Sequence, residues 1–181
     1  MLTDYDAKAI ADIMGLAFLR GHVTARGGHH DPVIRDDDGA SVVVKVKPAR
    51  GAGVVPSPSP VFIARAVEQG LPRAALRHVA ESIAGDDKVR ISALEWGIVP
   101  KTTLDRRTNL LSLQESERTE RAARLFVHAC RALGSIDEAR AFMTTPHPEL
   151  DGRSPMDAVK TDLGTRRVEQ LLTALEYGLA L

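Results

Sequence analysis

From Val61 onward the chain is a succession of apolar stripes at helical spacing, most of them closed by a glycine and reopened by a proline or a hydroxyl residue. Val61, Phe62, Ala64, Ala66 and Val67 precede Gly70; Pro72 then opens a helix through Leu76, Val79, Ala80 and Ile83 that Gly85 closes. A helix over roughly Val89 to Trp96, ending at Gly97, and a shorter one from Pro100 follow. Ser112 with Glu115 forms a capping box for a long helix through Ala122, Leu125, Phe126, Ala129 and Leu133, stopped at Gly134. Ser135 with Glu138 starts another through Ala139, Phe142 and Met143. After a turn-rich connection Ser154 caps, Pro155 takes the first helical position, and a last helix through Val168, Leu171, Leu172 and Leu175 ends at Tyr177–Gly178. Short amphipathic helices bury their stripes only against one another, so the pattern predicts an all-α fold. Composition agrees: Leu, Ile, Val and Phe supply 47 of 181 residues, enough for a core, and 24 alanines against seven aromatic residues favour close helix packing.

The first 56 residues read differently. Ile10, Ile13, Met14, Ala17 and Phe18 have helical spacing, after which RGHVTARGGHHDPVIRDDDGA is too rich in glycine and charge for a packed element. SVVVKVK predicts one short strand, and PARGAGVVPSPSP, residues 48–60, predicts a linker. His22, His29, His30 and Asp31 suggest a metal cluster, yet nothing fixes their geometry and they read as a solvated loop. Three segments result: an irregular N-terminal extension and linker, 1–56; a helix-turn-helix-like unit, 57–109; and a small helical unit, 110–181.

Lysine plus arginine and aspartate plus glutamate both number 24, so there is no global attraction to nucleic acid or to an anionic membrane. The middle segment is mildly basic and the last mildly acidic. A single cysteine, Cys130, excludes an intramolecular disulfide and a multi-cysteine zinc site, and it reads as a small core residue. The acidic start lacks the basic region of a secretory signal and no apolar run approaches membrane length, so the expected location is the cytoplasm, without membrane contact. His78 and His128 have no neighbouring nucleophile motif and there is no phosphate-binding glycine loop; no enzyme activity and no cofactor are expected. GIVPKTTLDRR, residues 97–107, has the outline of the second half of a helix-turn-helix: a glycine turn, then Lys101, Thr102, Thr103, Arg106 and Arg107 as candidate contacts to DNA phosphates and base edges. An ordinary surface helix fits the same letters.

Residues 110–181 are more specific. The Leu-Ser-x-x-Glu-Ser-Glu-Arg entry at Leu111 to Arg118, Ala139 with Phe142-Met143, Pro146 to Leu150, Gly152-Arg-x-Pro155, Thr161-x-x-Gly164 and the closing Tyr177-Gly178 occur in one order and spacing. This stretch resembles the toxin-binding domain of the Xre/MbcA/ParS antitoxins, partners of RES-domain toxins, with Phe142-Met143 where a Trp-Leu pair is usual. Residues 57–109 resemble the helix-turn-helix that precedes it. The resemblance implies an inhibitor of a toxin that degrades NAD or transfers its ADP-ribose, a homodimer within a hetero-oligomeric complex, and binding to operator DNA. It implies toxin contacts at Arg153, Arg166, Arg167, Glu169, Glu176, Tyr177 and Gly178. On composition alone Leu179, Ala180 and Leu181 read as a frayed end; with the resemblance they become an apolar plug with a terminal carboxylate for the toxin's NAD cleft. A stand-alone helix-turn-helix regulator and a non-catalytic helical adaptor are the alternative readings.

Overall fold

Asp6 accepts a 2.8 Å hydrogen bond from the Ala9 amide and so caps the first helix, α1 (Ala7–Ile13). The computed structural model describes residues 5–20, 32–36, 39–46, 55, 57–107 and 109–178. α1 stops where Gly15 takes φ 63°, and the chain turns into a strand, β1 (Leu16–Arg20). β1 pairs antiparallel with β3 (Ser41–Val46), which pairs on its other side with β2 (Val33–Arg35). The expected all-α architecture is therefore corrected: the molecule is mostly helical with a three-stranded antiparallel sheet in the segment expected to be irregular. The helical spacing through Ala17 and Phe18 is corrected as well. Both residues are buried in β1, because three consecutive apolar residues suit a covered strand as well as a helix turn. The expected strand SVVVKVK is β3. The histidine-rich stretch and most of the linker lie outside the described residues.

Seven longer or shorter helices follow: α2 (Pro60–Gln69), α3 (Arg73–Ala84), α4 (Lys88–Ile98), α5 (Lys101–Leu104), α6 (Leu113–Leu133), α7 (Ile136–Thr144) and α8 (Pro155–Ala158). A single 3-10 turn at Pro148–Leu150 separates α7 from α8, and α9 (Asp162–Tyr177) ends the described chain. The capping box of α6 is present in both directions, Ser112 to the Glu115 amide and Glu115 back to the Ser112 amide. α4 differs from its expected span. Asp87 caps it by accepting from the Val89 and Arg90 amides, and it runs through Gly97 to Ile98, so the turn comes at Val99–Pro100 rather than at the glycine.

One cluster of buried side chains joins all of this. It includes Ile10, Met14, Phe18, Val42 and Val44 from the first segment together with Phe62, Leu76, Phe126, Met143 and Leu172. The Phe18 and Phe62 rings sit 5.8 Å apart, and the Tyr5 hydroxyl donates to Glu120 on α6 at 2.9 Å. α1 and the three-stranded sheet thus form a wall of the core. A hydrogen-bonded seam crosses the position where the sequence suggested a 109/110 division: Leu111 donates to the Leu71 carbonyl, Arg73 to that of Asn109, and the Leu71 amide to the buried Ser116 hydroxyl. Arg107 crosses the same seam to grip the Glu115 carboxylate with two nitrogens at 3.0 Å. Among the described residues no helix is long and apolar enough to cross a membrane.

Candidate functional site

The candidate surface is built on α9 and on the loops that hold it. Between α7 and α9 the chain reverses through Asp151 and Gly152, consecutive residues at φ 58° and 71°. Aspartate is one of the few residues besides glycine that enter the left-handed region readily. Here the Asp151 carboxylate receives Arg167 at 2.5 Å and, more weakly, Arg153 at 3.5 Å, and Arg167 also donates to the Glu149 carbonyl at 2.7 Å. The hydrogen bond and charge of Arg167 hold the Asp151 carboxyl below the usual carboxylate range. Gly152-Arg-x-Pro155 is thus a turn followed by a capped helix start, with Ser154 accepting from the Asp157 amide at 3.1 Å. Thr161-x-x-Gly164 has an equally local cause. Thr161 caps α9 by accepting from Gly164, and a Cβ on Gly164 would stand 2.1 Å from the Ala158 carbonyl oxygen. Only glycine lets α9 approach α8 so closely.

α9 runs beside α6 in the same direction, joined by charged pairs at heptad spacing on α9. Arg121 meets Asp162 at 2.5 Å, Arg124 bridges Glu120 and Glu169, and Glu176 receives Arg131 at 2.8 Å and the His128 ring at 3.1 Å. Burial, only partly offset by the hydrogen bond to Glu176, pulls the His128 imidazole below its ordinary value. Burial opposes the charge on Glu176, but the Arg131 and His128 contacts outweigh it and the carboxyl sits below its usual range. A groove of about 780 Å³ borders these pairs on the side of α1 and α2, lined by Tyr5, Ile63 and Val67 opposite Arg121 and Arg124. The three arginines lining it, Arg121, Arg124 and Arg131, are already ion-paired.

The structure therefore divides the expected toxin contacts. Glu169 and Glu176 face α6. Arg153 and Arg167 are half engaged with the Asp151 turn. Arg166 is exposed, without an ion-pair partner among the described residues, and Tyr177 is 71% exposed beside Gly178, which closes α9 at φ 60°. Leu179, Ala180 and Leu181 lie outside the described residues. Sequence reasoning missed Leu163, 72% exposed at the start of α9. Leu163, Arg166, Gln170, Thr173 and Tyr177 recur at three- and four-residue steps, so they form one outer stripe, and an apolar residue that breaks the inward pattern was its available signal.

Of the expected DNA contacts, Lys101, Thr102 and Arg106 are exposed on and after α5, Thr103 is half-buried, and Arg107 is tied to Glu115. α5 is a single turn of four residues. Among the described residues no group of three or more His, Cys, Asp or Glu side chains could hold a metal ion.

Residues 120–178 match the family model of the antitoxin Xre/MbcA/ParS C-terminal toxin-binding domain. A curated relative, antitoxin Xre of Pseudomonas putida, is 30% identical over 87 residues, 46% of this chain and 55% of that protein. The chain thus spans about half the length of the curated relative it matches. Over residues 120–178, from the second turn of α6 to the glycine that closes α9, the chain is thus similar to the C-terminal toxin-binding domain of the Xre/MbcA/ParS antitoxins.

Proposed function

We propose that this chain is an antitoxin that neutralises a RES-domain, NAD-consuming or ADP-ribosylating toxin by seating the outer stripe of α9 on it and carrying Tyr177 and the residues after it into the NAD cleft. The observation that supports this most is the stripe itself. Within the segment matched to a toxin-binding domain, Leu163 and Tyr177 leave over two thirds of their surface in solvent around Arg166, which has no ion-pair partner among the described residues. Glu169 and Glu176 then act as positioning residues that lock α9 to α6, and Arg153 and Arg167 hold the turn beneath it. Inhibition on this reading is occlusion, and the antitoxin contributes no chemical step. Lys101, Thr102, Thr103 and Arg106 would contact operator phosphates in a homodimer assembled with toxin, with Arg107 as a strut for α6.

The test is co-expression with a RES-domain toxin encoded beside it, followed by NAD consumption of the purified complex. Leu163→Asp with Tyr177→Ala should abolish co-purification while leaving the fold intact, since both side chains are exposed. Deleting residues 179–181 should leave the complex assembled but restore NAD turnover. A double variant that still co-purifies and inhibits overturns the stripe; an inhibited deletion complex overturns the plug.

A further inference from the structure

α4 carries an aromatic residue that the core does not use. Trp96 is 45% exposed at the rim of a cleft of about 590 Å³ between α3, α4, α5 and the 109–110 seam. The Lys101 ammonium lies 5.1 Å from the centre of its ring. Arg73 and Arg77 line the same cleft, with Ser92 and Asn109 as neutral hydrogen-bonding groups. Arg77 is committed to Glu81 and Glu95 at 2.9 Å each, whereas the exposed Arg73 guanidinium, among the described residues, reaches only the Arg107 carbonyl at 3.2 Å. Asp105 is the remaining acid on the lining, so the cleft keeps a positive excess.

We propose that this cleft binds a single-stranded nucleic acid, one base stacking on the Trp96 ring and flanking phosphates meeting Lys101 and Arg73. A flat aromatic face with cations beside it is what a base attached to a phosphate needs, and a stacked base must be unpaired. A base that takes the Lys101 position over the ring frees that ammonium for a phosphate. The cleft volume suits one base and sugar, and Arg106, exposed just beyond α5, extends the cationic track past it. A four-residue α5 is short for a helix laid in a major groove, so duplex readout has less to work with here than stacking. This goes beyond the toxin-binding role and shares only Lys101 and Arg106 with the operator contacts.

Trp96 is the single tryptophan of the chain, so its emission reports this cleft alone. The experiment titrates the full chain at low salt with an oligothymidylate, a duplex and a mononucleotide, and repeats oligonucleotide anisotropy with Trp96→Ala and Trp96→Phe. The expected result is quenching by the oligonucleotide alone, affinity about five- to hundredfold weaker in Trp96→Ala, and partial rescue by Trp96→Phe. Toxin co-purification should be unchanged in both variants, which separates this failure from that of the antitoxin reading. The proposal is overturned by absent quenching, by equal affinity of Trp96→Ala, or by quenching with the duplex or the mononucleotide as strong as with the single strand. Emission that shifts with protein concentration before any oligonucleotide is added also overturns it, since a second copy would then occupy the cleft.

Discussion

Two residues carry much of the geometry of the C-terminal unit. Gly164 sits where a Cβ would meet the Ala158 carbonyl oxygen at 2.1 Å, so Gly164→Ala must push α9 off α8. Helix alanine propensity would favour the change by under about 1 kcal/mol, and forced overpacking costs about 1–3 kcal/mol or more, so overpacking wins. Urea unfolding should show a lower midpoint, and an unchanged midpoint would contradict the close approach. His128 adds a pH dependence. Its folded pKa lies below the ordinary value of about 6.5, so as pH falls the unfolded chain takes the proton first. Stability is complete above that ordinary value and declines as pH drops toward the folded one. Glu169, Glu176 and Arg131 are the charged groups acting on the ring. His128→Gln keeps a donor toward Glu176 with no proton to gain. Its Tm should therefore change less than that of the unaltered protein between about pH 7.5 and pH 5.5, and equal changes would remove His128 as the cause.

The helices were legible in the sequence where their ends carry side-chain chemistry. Ser112 with Glu115, Ser135 with Glu138 and Ser154 with Pro155 all cap as their spacing predicts, because a cap is settled within one turn. Gly97 misled because glycine marks a stop only when the chain needs a positive φ, and here it stays helical. β1 was hidden for a different reason: five residues cannot separate a period of 2.0 from one of 3.6, and its partner β3 lies over twenty residues away. The motif Thr161-x-x-Gly164 was visible as letters, but its cause is a contact with α8 that spacing does not reveal. Likewise Asp162, Glu169 and Glu176 form a heptad on α9, yet only the register against α6 shows that these acids face inward.

At the scale of the whole molecule, the described residues of the first segment, 5–20, 32–36 and 39–46, are a structural part of the body. Ile10, Met14, Phe18, Val42 and Val44 are each at most 1% exposed, and burying such a side chain contributes about 1.5–3 kcal/mol. Their sum is of the same size as the roughly 5–15 kcal/mol that holds a domain folded. A chain beginning at Ser57 should therefore lose its cooperative thermal transition, and a retained Tm within a few degrees would make the segment dispensable. The paired acids of α9 also shape what can meet it. With Glu169 and Glu176 turned toward α6, the outward stripe offers, among the described residues, one cation, Arg166, between two apolar ends, Leu163 and Tyr177, about 21 Å apart along the axis. A surface moulded to it must be the inverse: a greasy hollow at each end of a trough some two nanometres long, and a lone carboxylate nearer the hollow that takes Leu163.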